Sequence, residues 1–313
     1  MSSCLPPRIS VVVLTHNRAE ELGRSLQQLH ALPERPPVIV VDNASTDGTA
    51  EYLQRHWPQV RLVRSTRNLG AAARNLGVAQ VATPYVAFCD DDTWWAPGAL
   101  QRAVALLDAH PHVGVLNARV LVGPQQHVDP TCEHMARSPV PSAGLPGPAL
   151  IGFMAGAAVM RTRAFLEAGG YEPRFFLGAE EALLALDLQA RGWAIVYAED
   201  VVTHHHPSPS RDRRKRHILA ARNGAWLAWM RLPWPTAWHQ TVAPLRRARQ
   251  AGVFWPALRA ALSGLPWALA RREPVPPHVH AHYLLVHPDP KPRFGRLGAR
   301  RRANLLLPPE RSS

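Results

Sequence analysis

Three short apolar runs, each closing on a polar or acidic residue, constrain this chain more than any other feature. Ile9 to Leu14 reads ISVVVL and is followed by Thr15; Val38 to Val41 reads VIVV and ends at Asp42; Tyr85 to Cys89 reads YVAFC and ends at Asp90. Continuous apolar runs of this length are typical of strands buried on both faces. Helical spacing fills the gaps between them. Arg18 to His30 places Leu22, Leu26 and Leu29 on one side, and Thr49 to His56 forms a short helix behind the Asp47-Gly48 turn. Val60 to Val63 reads as another strand and Ala71 to Val81 as another helix. Strand and helix alternate with short connections. The expectation is an α/β sandwich around a mostly parallel sheet, with ligands at the carboxyl ends of the strands.

Beyond residue 110 the pattern is coarser. Val113 to Val122 resembles a strand, and residues 123–148, rich in Pro and Gly, read as a loop. Ala157 to Met160 suits an inner strand, Thr162 to Ala168 and Glu180 to Arg191 read as helices, and Ala194 to Tyr197 as a last short strand. Residues 142–160 carry no charge over about the length of a membrane span. Their prolines and glycines favour a loop followed by a buried strand. No apolar leader follows a charged N-terminus. Three cysteines, Cys4, Cys89 and Cys132, make a disulfide framework an unattractive reading and point to a reducing, cytoplasmic setting.

The net charge of +13 is unevenly placed. From Arg211 onward the chain holds 20 Lys and Arg against 4 Asp and Glu, so the first 210 residues are near neutral and slightly acidic. A neutral body with a cationic tail suggests an anionic surface as partner.

The candidate chemistry lies in the body. Asp90, Asp91 and Asp92 follow an apolar strand, where adjacent carboxylates repel one another. A divalent cation with a diphosphate is a common compensation, and a solvated turn capping the next helix is the plain alternative. In VDNASTDGT, Val41 to Thr49, Asp42 stands at a strand end with Asn43 beside it, where a carboxylate can accept hydrogen bonds from a base or ribose. In RNLGAAARN, Arg67 to Asn75, Gly70 permits close backbone approach and Arg74 is placed to meet a phosphate or base.

Taken in order, VVVLTHNR, VDNASTDGT, RNLGAAARN and FCDDDTWWAP resemble the family 2 glycosyltransferases of the GT-A fold. The 50 residues from Asp42 to Asp92 match the spacing usual in that family, and the resemblance covers about residues 8–210. It implies a nucleotide-diphosphate sugar as donor, a saccharide or lipid-linked acceptor, transfer with inversion, and Mg2+ or Mn2+ as cofactor. Thr15, Asn17, Arg18, Asp42 and Asn43 would line the nucleotide pocket, with Arg74 near the base or diphosphate. Asp90 and Asp91 would contact nucleotide or sugar, and Asp92 the metal. The family's acidic base motif corresponds to Glu180-Glu181 within GGYEPRFFLGAEEALLALDLQARGW, with Glu181 where an aspartate is usual and Leu183 where a further acid is usual. Glu181 is the expected base and Glu180 the second candidate. A histidine after the last strand would complete the metal site, with His204 aligning best and His206 on the same side of the strand. Trp94 and Trp95 would split between sugar stacking and core packing, and the AGAAVM segment around Gly156 would leave room for the acceptor. Ser208, Ser210 and Arg211 are candidate phosphate ligands. A non-catalytic nucleotide-sugar or membrane-surface binding protein and a nucleotidyltransferase are the competing functions; the second lacks a Gly-rich phosphate loop followed by Lys near the N-terminus.

Residues 211–290 hold six of the ten tryptophans and the run Arg213-Arg214-Lys215-Arg216. Between Pro244 and Arg272, Leu258, Leu262 and Leu265 share a helical face among arginines. This suits an interfacial amphipathic helix on anionic lipid, which would make the protein peripheral to the cytoplasmic membrane face. A helical subdomain packed on the catalytic body, or an oligomer contact, is the alternative; nucleic acid is the least favoured partner. Residues 291–313 are expected to be a disordered tail.

Overall fold

The computed structural model describes residues 6–207 and 213–288. Chain order begins with β1 (Ile9–Thr15), α1 (Ala19–His30), β2 (Val38–Asp42), α2 (Thr49–His56) and β3 (Arg61–Arg64). A 3-10 turn (Gly70–Ala73) leads into α3 (Arg74–Val78), then β4 (Tyr85–Asp90), β5 (Thr93–Trp95) and α4 (Ala99–Ala109). There follow β6 (Val113–Val122), β7 (His127–Val128), α5 (Pro130–Ala136), β8 (Ala158–Arg161), α6 (Thr162–Glu167), α7 (Glu180–Ala190) and β9 (Ala194–His205). Four helices close the described chain: α8 (Arg213–Arg231), α9 (Trp234–Gln250), α10 (Phe254–Ala270) and α11 (Pro277–Val286).

The strands form one sheet in the order β3-β2-β1-β4-β8-β6-β9-β5, with β7 paired to β6. β1, β2, β3, β4, β6 and β9 share one direction, while β5, β7 and β8 run against it. The sheet is therefore mostly parallel, as the buried runs predict. Val11, Val12 and Val13 of β1 are fully buried because helices cover both faces. Each such side chain contributes roughly 1.5–3 kcal/mol of burial. In the register of β1 and β2, Thr15 lies beside Asp42, and Leu14 pairs with Asp90 of β4. Three strands thus deliver polar side chains to one edge.

Several elements depart from the sequence reading. The helix expected over 71–81 splits, because the 3-10 turn tightens its first residues. The stretch 123–148, read as a loop, carries β7 and α5, the latter capped by Asp129 accepting from the Thr131 amide at 2.7 Å. Thr93–Trp95 forms a strand that its three-residue length hides from periodicity. The last strand extends to His205, well past Tyr197, through an irregularity in its pairing with β6 near Ala118 and Arg119.

The stretch from Pro244 to Arg272 is two helices, not one. Gly252, at φ 69°, turns the chain between α9 and α10. Ala257, Ala261 and Ala268 give α10 a small-residue face, which is buried, and the Trp226 indole of α8 donates to the Ala261 carbonyl at 2.8 Å. A second apolar cluster joins Leu183 and Leu186 of α7 to Trp226, Leu227 and Met230 of α8. The basic helices therefore pack on the α/β body at α7. Among the described residues, no helix is long and apolar enough to cross a membrane. The tail 291–313 and the Ser208, Ser210 and Arg211 candidates lie outside the described residues.

Candidate active site

The site assembles at the carboxyl edge of β1, β2 and β4. Asp91 and Asp92, in the turn between β4 and β5, are buried at 5% and 4% exposure. Asp91 is held from three sides. Thr15 Oγ1 donates to its Oδ2 at 3.1 Å, Arg18 Nη1 to its Oδ1 at 3.0 Å, and Ser25 Oγ to its backbone carbonyl at 2.8 Å. Arg18 also reaches Asp92 Oδ2 at 3.4 Å. Burial pushes the Asp91 carboxyl up to about 7, with Asp90 and Asp92 adding to the effect and Arg18 opposing it. Thr15 and Arg18 are thus brought together with the aspartates, as expected of one pocket.

Asp42 is wholly buried, accepting from the Ser45 amide at 2.9 Å and lying 3.3 Å from Arg64 Nε. Its Oδ2 has no hydrogen-bond partner. That oxygen is the one facing the Arg64 guanidinium, whose charge compensates its burial, and it retains capacity to accept from a ligand donor. Asn17 and Asn43 spend their amides on the protein. Asn17 Oδ1 accepts from the Thr46 amide at 2.7 Å. Asn43 Oδ1 accepts from the Leu69 amide at 2.8 Å, and its Nδ2 donates to the Gly70 carbonyl at 3.1 Å. These two residues shape the loop walls rather than presenting free amides.

Arg74 begins α3, which lies close against the sheet: a Cβ at Gly77 would stand 2.5 Å from Val12 Cγ1. Buried there, Arg74 forms an ion pair with Asp90 and sits with its guanidinium carbon 5.8 Å from the Tyr171 ring centre. Asn75, its neighbour, clamps Tyr171 by both backbone groups, at 2.8 and 3.0 Å. The sequence reading passed over Asn75; the Arg-Asn pair at a helix start facing a Gly-Gly-Tyr segment was its available signal.

Glu180 and Glu181 open α7 within the electrostatic reach of Arg74. Glu180 is buried, its Oε2 has no hydrogen-bond partner, and burial with the adjacent Glu181 charge pushes it up to about 8. Burial also raises Glu181, with Arg74 pulling the other way and Asp90 adding. Two adjacent carboxyls in this setting resist ionising together.

The placement expected for His204 and His206 is corrected: their rings turn to Trp94 rather than to the Asp92 carboxylate, although the His206 amide donates to the Asp92 carbonyl at 2.9 Å. Both pack on Trp94, at ring-centre distances of 5.6 and 4.8 Å, and burial lowers His204 from its ordinary range. The strand alternation that groups them turns His205 the other way, where its Nε2 lies 3.7 Å from Asp92 Oδ1. Trp95 is fully buried in the main core, so it is unavailable to a sugar, while Trp94 is partly exposed. Gly156 borders Asp90 directly: a Cβ there would stand 2.8 Å from Asp90 Oδ2. Its small size serves the aspartate.

Among the described residues, no three His, Cys, Asp or Glu side chains form a ready-made metal cage. The donor chemistry nevertheless suits a hard divalent ion that keeps few protein ligands and shares substrate phosphates, with the buried Asp92 carboxylate beside the His205 imidazole.

The site thus combines strand-end carboxylates, a buried arginine and a helix-borne acid pair. Comparison with known proteins carries this to a family. The model of "Glycosyl transferase family 2" matches residues 10–169. N-acetylglucosaminyl-diphospho-decaprenol L-rhamnosyltransferase of Mycobacterium tuberculosis is 29% identical over 256 residues, covering 71% of this chain and 82% of that protein. Among solved structures, the mannosyltransferase PcManGT from Pyrobaculum calidifontis, in complex with GDP-Man and Mn2+, superposes with a TM-score of 0.55 at 23% identity, covering 90% of this chain and 86% of that one. S. aureus TarS 1-349 in complex with UDP-GlcNAc gives 0.59 at 20% identity, with the same coverage of both chains. The chain belongs to glycosyl transferase family 2, and it is a glycosyltransferase with the GT-A fold.

Proposed function

We propose that this enzyme moves a glycosyl unit from a nucleoside diphosphate sugar to an acceptor hydroxyl with inversion at the anomeric carbon. The observation that carries the reading is that Arg74 pairs with Asp90 and has the Glu180-Glu181 pair within its electrostatic reach. Glu181 takes the proton from the acceptor hydroxyl. The acceptor oxygen forms the new bond to the anomeric carbon, and the bond from that carbon to the diphosphate breaks, its electron pair leaving with the nucleoside diphosphate. Glu180, held near neutrality by burial and by the Glu181 charge, keeps its own proton and leaves its neighbour as the base. Asp42 accepts from base or ribose, and Arg18 and Thr15 hold Asp91 in place. Asp92 and His205 would hold Mg2+ or Mn2+, which supplies positive charge to the departing diphosphate. Mn2+ accompanies GDP-Man in the mannosyltransferase structure, which supports a divalent ion here.

The acceptor we favour is a saccharide on a polyprenyl diphosphate, in cell-envelope synthesis. The name of the mycobacterial relative supports this, and so does the positive charge of the C-terminal helices, which suits a membrane surface. The reading is tested by incubating the protein with a panel of nucleotide sugars and Mn2+ and assaying nucleoside diphosphate release. Slow hydrolysis of one donor, accelerated by a lipid-linked saccharide and abolished in Glu181→Gln, is the expected result. Donor binding without release in every case identifies a binding protein on the same fold. The configuration of the product, read by NMR, settles inversion.

A further inference from the structure

The segment between Tyr171 and the acid pair has an unusual backbone. Phe176 has φ 63°, Gly178 φ 89° and Ala179, which caps α7, φ 63°. Left-handed geometry is strained for a non-glycine residue, because Cβ crowds the following carbonyl oxygen. Two such residues within four positions of Glu180 need an external hold.

That hold comes from α8. Asn223 is fully buried, and its Nδ2 lies 2.7 Å from the Phe175 carbonyl, 3.0 Å from that of Leu177 and 2.6 Å from that of Gly178. Carbonyls only accept, so the amide nitrogen must face them. Its Oδ1 accepts from Arg222 Nε at 2.8 Å, and Arg222 Nη2 donates to the carbonyls of Arg174 and Phe175, both at 3.0 Å. The Phe176 carbonyl turns the opposite way and accepts from the Ala71 amide at 2.8 Å, in the turn that leads into Arg74. Gly70 is required at that crossing: it has φ 62°, and a Cβ on it would stand 2.1 Å from the Phe176 oxygen. The segment is thus fastened to the donor-side turn on one face and to the C-terminal helices on the other.

We propose that Asn223 is a positioning residue: by gathering the Phe175, Leu177 and Gly178 carbonyls it sets where Glu180 and Glu181 stand, so proton removal depends on the C-terminal helical region. This rests on the reading that Glu181 is the base. The C-terminal helices are then part of the catalytic apparatus, beyond any part they play in location. Buried carbonyls that lose their shared donor must find others, and the loop relaxes until they do. A displacement of about 1 Å in a catalytic group costs on the order of 100-fold in rate.

The test is Asn223→Ala, with Asn223→Ser as a variant that restores one donor. Circular dichroism and a thermal melt establish the folded fraction of each. The expected result is a 10- to 100-fold fall in kcat for Asn223→Ala, an intermediate loss for Asn223→Ser, and donor affinity by calorimetry within about 2-fold of the original in both. The acid limb of the kcat–pH profile moves to lower pH as the glutamates gain water, which mere loss of folded protein does not produce. Kcat within 2-fold and an unmoved limb in a folded variant overturn the proposal. So does a parallel loss of kcat and donor affinity, which assigns the clamp to the donor turn instead. Glu181→Gln keeps the two readings separate. If it turns over normally, the base assignment fails; if it is inactive while Asn223→Ala is normal, only the clamp fails.

Discussion

Arg74 meets Asp90 from inside the protein: the arginine side chain is 5% exposed, while the carboxylate it pairs with is 43% exposed. A buried cation therefore orients a carboxylate that still faces the ligand side. Glu180 and Glu181 lie within the electrostatic reach of the same guanidinium. One residue thereby relates the donor edge to the base.

Arg74→Ala should remove that relation at a cost to both stability and turnover. Breaking a fully buried pair costs about 3–5 kcal/mol, and the exposure of Asp90 reduces this to about 2 kcal/mol. Urea denaturation should show that loss. Arg74→Lys should recover much of the stability, because charge is retained, yet leave kcat/KM at least 10-fold down, because an ammonium cannot reproduce the planar fork. Full activity in the lysine variant would show that only charge matters.

The three adjacent histidines should separate by role. His205→Ala should weaken Mn2+-dependent nucleotide binding by roughly 10–100-fold, the scale of losing a group that holds or orients a metal ligand. His204→Ala and His206→Ala should leave that metal dependence within about 2-fold, since both rings pack on Trp94. Titration calorimetry with nucleoside diphosphate, with and without Mn2+, makes the comparison. A dominant effect at His204 would reverse the assignment drawn from the strand.

The acid pair predicts a pH signature. Glu180 is raised from 4.5 to about 8, so its folded form holds a proton that the unfolded chain has released. Stability should consequently fall as pH rises from about 4.5 through about 8, because the fold binds more protons than the unfolded state across that window. Glu180→Gln keeps the shape without the ionisation and should flatten this slope in thermal melts. Glu180 is neutral across the acid limb of kcat, so the neutral amide should leave that limb in place. A limb that moves to lower pH in Glu180→Gln would mean that Glu180 carries charge beside Glu181 in the working enzyme.

The sheet was largely legible because its central strands are buried on both faces, so burial wrote continuous apolar runs into ISVVVL, VIVV and YVAFC. The ordered motifs around Asp42, Arg74 and Asp92 brought the family with them. What escaped was short or decided by pairing. Thr93–Trp95 is too brief to show a period, and the face of each histidine is set by β9 pairing with β5. Trp95 and Trp94 are neighbours in sequence and opposites in burial for the same reason. Asn223 carries no local pattern at all, since its partners lie more than 40 residues away in sequence.

The C-terminal helices make the last prediction. α10 turns its small residues inward, and Trp255, Leu262 and Leu269 outward, at 75%, 56% and 37% exposure. These positions fall on one side of the helix, with Arg259 among them. Of the face expected from Leu258, Leu262 and Leu265, only Leu262 lies on the exposed side, and the other two are half-buried. Exposed Arg246, Arg247 and Arg249 of α9 add positive charge. Aromatic and aliphatic side chains among arginines suit the boundary of an anionic bilayer, where each basic residue near the surface contributes about 1 kcal/mol. The protein should float with phosphatidylglycerol-containing vesicles at low salt and be released as salt screens the attraction. Replacing Trp255, Leu262 and Leu269 together with Ser should abolish flotation while leaving the melting temperature nearly unchanged, because none of the three is buried in the packed core. It should also leave transfer to a soluble acceptor analogue intact and slow transfer to one held in vesicles. Unaltered flotation in that triple variant would move the membrane contact elsewhere on the chain, and failure of the original protein to float at low salt would remove it.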